Sequence, residues 1–155
     1  MKGLADFKKN FKKTDNIFLG VGLIKNANKR WNLVKKLKRY NLNFSKIISP
    51  KSHISKYSKI SEGTIVMHNS VINSNTAIME HTIINTSSII EHDVYIGKNC
   101  HISTGAIVNG GSSVGDHTFV GSGSIIHQNI KIGSNCIIGA GKVIKKNLAS
   151  NSIIK

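Results

Sequence analysis

From Ile48 onward a branched aliphatic residue returns at every sixth position: Ile48, Ile54, Ile60, Val66, Ile72, Ile78, Ile84, Ile90, Ile96, Ile102, Val108, Val114, Val120, Ile126, Ile132, Ile138 and Ile144. All 17 are Ile or Val, which fill only 34 of 155 positions, so chance would give such a run with a probability on the order of 10^-11. Two positions before the aliphatic residue stands a small one in 13 of the 17 cases, from Ser52 and Ser58 through Cys100 and Ala106 to Cys136. In an extended chain, residues i and i−2 share one side, so each short strand turns one large and one small residue inward. Ile and Val suit this place because stiff β-branched side chains pack well on a pleated surface. Three such strands close a triangular coil of about 18 residues, stacked on the next at ~4.8 Å. The pattern predicts an all-β fold, a parallel β-helix (solenoid) over residues 48–144. It would be a little over five coils and roughly 26 Å long. Periodicity does not set the hand, and the ordinary crossover rule favours right-handed.

A different pattern precedes the prism. Residues 16–22, NIFLGVG, read as a buried strand ending in glycines. Residues 25–40 read as an amphipathic helix with Ala27, Trp31, Val34 and Leu37 on one stripe and Lys29, Arg30, Lys35, Lys36 and Lys38 around it. Residues 44–49 read as a second strand leading to Pro50, the sole proline, where ladders begin that leave little room for a missing N–H. The expected division is a truncated β-α-β segment over 1–47 and a β-helix domain over 48–155.

Charge adds one asymmetry. Lys and Arg number 22 against seven acids, and residues 1–50 hold 13 of those bases with two of the acids. Nucleic acid, an anionic surface or phosphorylated small molecules would suit a basic front end. The lysines read more simply as a solvated helix face, and no stacking aromatics interleave with them. No apolar run is long enough for a membrane span, and the N-terminal MKGLADFKKNFKK has no apolar signal region, so a cytoplasmic location is expected.

Several local matches carry no chemistry. GVGLIK at 20–25 lacks the third glycine of a dinucleotide loop, and GSSVG at 111–115 lies on the six-residue repeat, not on a strand-to-helix turn. Cys100 and Cys136 share the small inward column, two coils apart, too far for a disulfide; they read as packing residues. His81 and His117 are likewise two coils apart. The γ-class carbonic anhydrases, also hexapeptide prisms, add a third histidine to such a pair, but position 122 is Ser. His53, His68 and His127 read as solvent-facing.

One stretch stands out: Asn85-Thr-Ser-Ser-Ile-Ile-Glu91-His92-Asp93-Val-Tyr-Ile-Gly97, then Cys100-His101-Ile-Ser103 and Gly110-Gly111. His92 falls at a corner between two carboxylates, either of which can fix its tautomer and support its protonated form. His101 precedes its repeat residue by one and so projects outward. A polar turn with incidental histidines is the plainer reading of these residues alone. The segment resembles the signature of sugar O- and N-acetyltransferases of the sialic acid O-acetyltransferase and UDP-4-amino-sugar N-acetyltransferase (bacillosamine synthesis) type. The similarity runs from about Asp15 to Asn147.

The resemblance implies a left-handed coil and transfer of acetyl from acetyl-CoA to the amine or hydroxyl of an amino sugar or nucleotide-activated amino sugar. It implies His92 as general base with Asp93 or Glu91 polarising it, and Asn85 on the acceptor side. His101 would lie near the acetyl group, with the Gly110 N–H on the thioester oxygen. Gly121, Ser122 and Ala140 would line the pantetheine groove. It further implies homotrimers holding acetyl-CoA between neighbouring prisms, with no metal. The family's upstream glycine-rich strand-loop and C-terminal Gly-x-Pro-Ala-Lys tail have no counterpart in this sequence. The alternatives are a noncatalytic solenoid binding module or truncated remnant and, further off, a γ-class carbonic anhydrase-like metalloenzyme.

Overall fold

The computed structural model describes residues 16–22 and 27–155. Within them the repeat forms a three-sided parallel solenoid whose sheets contain six, five and seven strands. Each strand pairs with those 18 residues away, as Ile90 does with Ile72 and Val108. Backbone bonds such as Glu91 N–H to Val108 O at 2.9 Å tie one coil to the next. The repeat residues fill the interior: Ile72, Ile84, Ile90, Ile96, Ile102 and Val120 are fully buried. Each such burial contributes about 1.5–3 kcal/mol. Ile48 is 44% exposed because it belongs to the first coil, with no further coil beneath it.

The small inward column does more than leave room for a turn. Its hydroxyls donate to the carbonyl 15 residues ahead: Thr82 to Gly97 O at 2.7 Å, Ser112 to His127 O at 2.7 Å, and Ser124 to Gly139 O at 2.7 Å. These bonds satisfy corner carbonyls that the ladder leaves out. Cys100 and Cys136 take the same place, with thiols 3.1 Å from Gly115 O and 3.2 Å from Ala149 O. Both are free and buried, and burial pushes the Cys100 thiol up to about 12.

The solenoid extends beyond residue 144. Ile153–Ile154 pair with Ile137–Ile138, and Leu148 bridges Ile132. These partners are 16 residues apart instead of 18, so the last coil is two residues shorter than those before it. The six-residue count breaks there, but the ladder continues.

Upstream, β1 (Asn16–Ile17), α1 (Ala27–Lys38) and β2 (Asn43–Phe44) form the expected unit, with β1 and β2 parallel. The first strand is shorter than 16–22, although burial still alternates through Ile17 and Leu19. Residues 25 and 26 of the expected helix lie outside the described residues. The segment expected as one strand over 44–49 divides in two. Phe44 ends β2, whereas Ile47–Ile48 already pair with Ile65–Val66 in the solenoid. No helix among the described residues is long and apolar enough to cross a membrane.

One sequence expectation fails where α1 meets the prism. Arg30, assigned to the solvated face, is 1% exposed. Its Nε donates to Val21 O at 2.8 Å, and its Nη1 donates to Asn99 Oδ1 at 2.8 Å and to His81 O. A guanidinium can be buried when carbonyl oxygens take its donors, and a pattern of apolar positions does not show that. His81, which shares a column with His117 two coils away, is fully buried with Phe44 edge-on at 4.6 Å and Trp31 at 6.0 Å. Gly63 makes that possible: at φ 64° it has no Cβ, which would stand 2.2 Å from His81 Nδ1.

Burial, then Lys38 and Arg30, depress the His81 pKa from 6.5 to about 4. The folded state thus prefers neutral His81, so this docking contributes fully above pH ~6.5 and is lost as pH falls toward 4. The urea midpoint should drop across that window. His81→Asn tolerates a positive φ and cannot protonate; it should start lower but lose less between those pH values. Parallel decline of parent and variant would contradict this source.

Candidate functional site

The corner Glu91-His92-Asp93 lies between strands Ile89–Ile90 and Tyr95–Ile96, on two different faces of the prism. Turning that corner needs a left-handed residue, and Asp93 supplies it at φ 59°. Asp and Asn reach this region more readily than most residues. The consequence is chemical: Asp93 Oδ2 sits 2.7 Å from His92 Nδ1, and its Oδ1 accepts from Asn75 Nδ2 at 2.6 Å. Hydrogen bonds from His92 and then Asn75 hold the Asp93 carboxyl below the usual carboxylate range. Against that carboxylate, His92 carries its proton on Nδ1. Of the two flanking acids the structure pairs Asp93 with the imidazole. Glu91 instead accepts from Asn73 Nδ2 at 2.8 Å, on the preceding coil.

His92 is exposed at the wall of a cleft of about 360 Å³, lined also by Asn109, Gly110, Gly111, Gln128 and Asn129. Its ring lies on Gly110: a Cβ there would stand 2.8 Å from both Cε1 and Nε2. Among the described residues the Gly110 N–H has no backbone acceptor, while its carbonyl accepts from Asn129 N at 3.0 Å. Glu91, His92, Asp93 and Gly110 thus lie together at this corner.

The other expected residues gather at the next corner. Asn85 Nδ2 is 3.0 Å from His101 Nε2, and Phe119 meets the His101 ring edge-on at 5.4 Å. His101 does face outward from its strand but is only 7% exposed, covered by these neighbours. Ser122 Oγ bonds Ser103 Oγ at 2.9 Å. Gly121 is buried, and a Cβ on it would stand 2.5 Å from Ala140 N, so its lack of a side chain serves the stacking of coils. Ser122 and Ala140 are exposed at this corner. Between the two groups runs a face whose outward residues are His53, Val71, Ile89, Ile107, Ile125 and Val143.

Sequence reasoning missed Asn73, Asn75, Asn109, Gln128 and Asn129. Counting in steps of 18 residues either way from positions 91–93 finds all of them. The His81–His117 column holds Asn99 between its members, with Asn99 Nδ2 3.1 Å from His117 Nδ1. Among the described residues no three His, Cys, Asp or Glu side chains cluster as metal ligands.

Residues 111–146 match the family model described as bacterial transferase hexapeptide (six repeats). By repeat and fold the chain resembles hexapeptide-repeat transferases, and it shares their left-handed parallel β-helix. The solved structures it resembles include a mutant of perosamine N-acetyltransferase from Caulobacter crescentus in complex with CoA and GDP-perosamine. Identity is 26%, with 95% of this chain and 67% of that chain covered and a TM-score of 0.87. For PerB from the same organism, also with CoA and GDP-perosamine, identity is 28%, coverage 89% and 65%, and TM-score 0.85. For the acetyltransferase domain of PglB from Neisseria gonorrhoeae with acetyl coenzyme A, identity is 25%, coverage 84% and 63%, and TM-score 0.81. The chain thus spans about two thirds of the length of these structures. No curated protein sequence matches it.

Gly110 is the site residue most open to a clean test, since its φ is outside the left-handed region and the nearest atoms to a Cβ there all belong to the His92 ring. Gly110→Ala should fold with little loss of stability yet turn the imidazole off the cleft. Denaturation midpoints and the His92 ring signals in NMR would show this, and unmoved ring signals would contradict it.

Proposed function

We propose that this protein transfers the acetyl group of acetyl-CoA to the amine of a nucleotide-linked amino sugar, with His92 as general base. The observation that carries the reading is the Asp93–His92 pair, its Nε2 over Gly110 at an open cleft. Support comes from a coil shared with structures holding CoA and GDP-perosamine. An attacking amine must shed a proton near pH 7, and a neutral imidazole with a bare Nε2 accepts one. The carbonyl oxygen gains charge as the tetrahedral centre forms, and the Gly110 N–H is a donor without a backbone acceptor in the described chain. The cysteines do not serve as acyl carriers: both are buried inside the prism, and Cys100 stays a thiol.

The same reading includes a homotrimer with shared sites. Two of the three outer faces are mostly apolar, one carrying Val71, Ile89, Ile107, Ile125 and Val143 beyond His53, the next Ile65, Ile83, Phe119 and Ile137 with His101 among them. The third carries Lys59, Ala77, Tyr95, Ser113 and Lys131. The His92 corner and the Asn85–His101 corner flank one apolar face from opposite sides. A head-to-tail ring of three would join one copy's His92 corner to the next copy's Asn85–His101 corner.

Free thiol release from acetyl-CoA with GDP- and UDP-linked amino sugars tests the activity, and no turnover with any amine acceptor would refute it. His92→Ala should lower kcat by about 10²–10⁴-fold, the usual worth of a general base. Asn85→Ala should also impair turnover, and mixing it with His92→Ala subunits should restore part of the activity if each site draws on two copies. No recovery after verified subunit exchange would argue against the shared site.

A further inference from the structure

From Gly63 to Gly141 each prism corner puts one residue in the left-handed region, and Asn or Gly occupies most of these places. At the cleft the column reads Asn75, Asp93, Gly111 and Asn129, with φ of 56, 59, 68 and 59°. Asp93 is its charged member, and Asn75 stands one coil below it. The Asp93 side chain is 52% exposed. A half-exposed carboxylate held by one hydrogen bond is free to turn toward water. Here its second oxygen is pinned by the Asn75 carboxamide at 2.6 Å, a donor that never ionises. Asn73 meanwhile takes Glu91 at 2.8 Å and keeps that carboxylate from the imidazole.

We infer that Asn75 is a positioning residue for the acetyl transfer: it fixes Asp93 so that His92 keeps its proton on Nδ1 and presents a bare Nε2 to the cleft. The inference rests on the reading of His92 as the base. Asp93 and Glu91 are the charged groups of the corner itself. The coil below supplies uncharged Asn73, Ser74 and Asn75, and the coils above uncharged Asn109, Gly110, Gly111, Gln128 and Asn129.

Two variants separate this role from structural support. Asn75→Gly suits the φ of 56° and removes only the carboxamide, whereas Asn75→Asp keeps the shape but sets acceptor against acceptor. Asn75→Gly should lower kcat about tenfold with KM for both substrates within about twofold, and Asn75→Asp should lower kcat further. In the free protein, ¹⁵N imidazole shifts should show the His92 tautomer moving away from Nδ1–H in both variants. In an Asp93→Asn background, Asn75→Gly should add no further loss, because the two residues act through one contact. Parental kcat with an unmoved tautomer in Asn75→Gly, or losses that add fully, would overturn the inference. A fully active His92→Ala would instead sink the base assignment, and the tautomer measurement would still decide what Asn75 does to the ring.

Discussion

The register between coils is the constraint on which the rest of this molecule depends. A residue stacks on the one 18 positions away, as Ile96 does on Ile78 and Val114, because only then do the inward aliphatic side chains form one continuous column. The hydroxyls of Thr82, Ser112 and Ser124 reinforce the register from within by reaching carbonyls 15 residues ahead. A slip of one residue along a strand would turn its inward side chains outward, since alternate residues face opposite ways. The shorter last coil loses two residues and so keeps that alternation, which is why Ile154 still stacks on Ile138. The cost of this rigidity falls at the corners, which from Gly63 to Gly141 each hold a left-handed residue. The corners are also where side chains from successive coils must line up. Chemistry on such a fold is therefore written in columns, and a group at a corner is supported from 18 residues before and after.

That logic explains what could be read from the chain directly. The prism was legible because period two and period six both follow from inward packing of Ile and Val. The His92–Asp93 pair was legible because the two are neighbours in sequence. Its support was not, since Asn73 and Asn75 are ordinary-looking turn residues until the 18-residue stack sets them under Glu91 and Asp93. The choice between the two flanking acids also lay beyond a one-dimensional reading. It is made by which oxygen the coil below occupies. The hand of the coil is likewise absent from the periodicity and came through resemblance.

The polar residues buried beneath α1 share a physical cause. Arg30 and His81 look polar and therefore exposed, yet both are buried where α1 rests on a corner of the prism. Helix periodicity reports apolar positions and is blind to a guanidinium whose donors end on the carbonyls of Val21 and His81. A glycine at position 63, itself a turn residue, opens the space for the imidazole. Polar burial of this kind depends on partners 9 to 69 residues away, and no local window contains them.

The same geometry bears on the proposal that two copies share each site. A corner is convex, so a single corner offers a substrate one wall: the imidazole of His92 and the glycines beneath it. Enclosure needs a second wall, and the coil geometry denies it to the same copy, because the next corner lies across a sheet face. The apolar face between the two corners, with Ile89, Ile107 and Ile125 pointing outward, gains by being covered. Covering it with another copy would supply the missing wall in the same step, since whatever packs on the face brings a corner of its own. On this argument assembly and catalysis are one problem for a solenoid enzyme. Residues that favour contact between copies need not touch substrate, yet under the proposed trimer they would decide whether His92 faces a groove or an open edge.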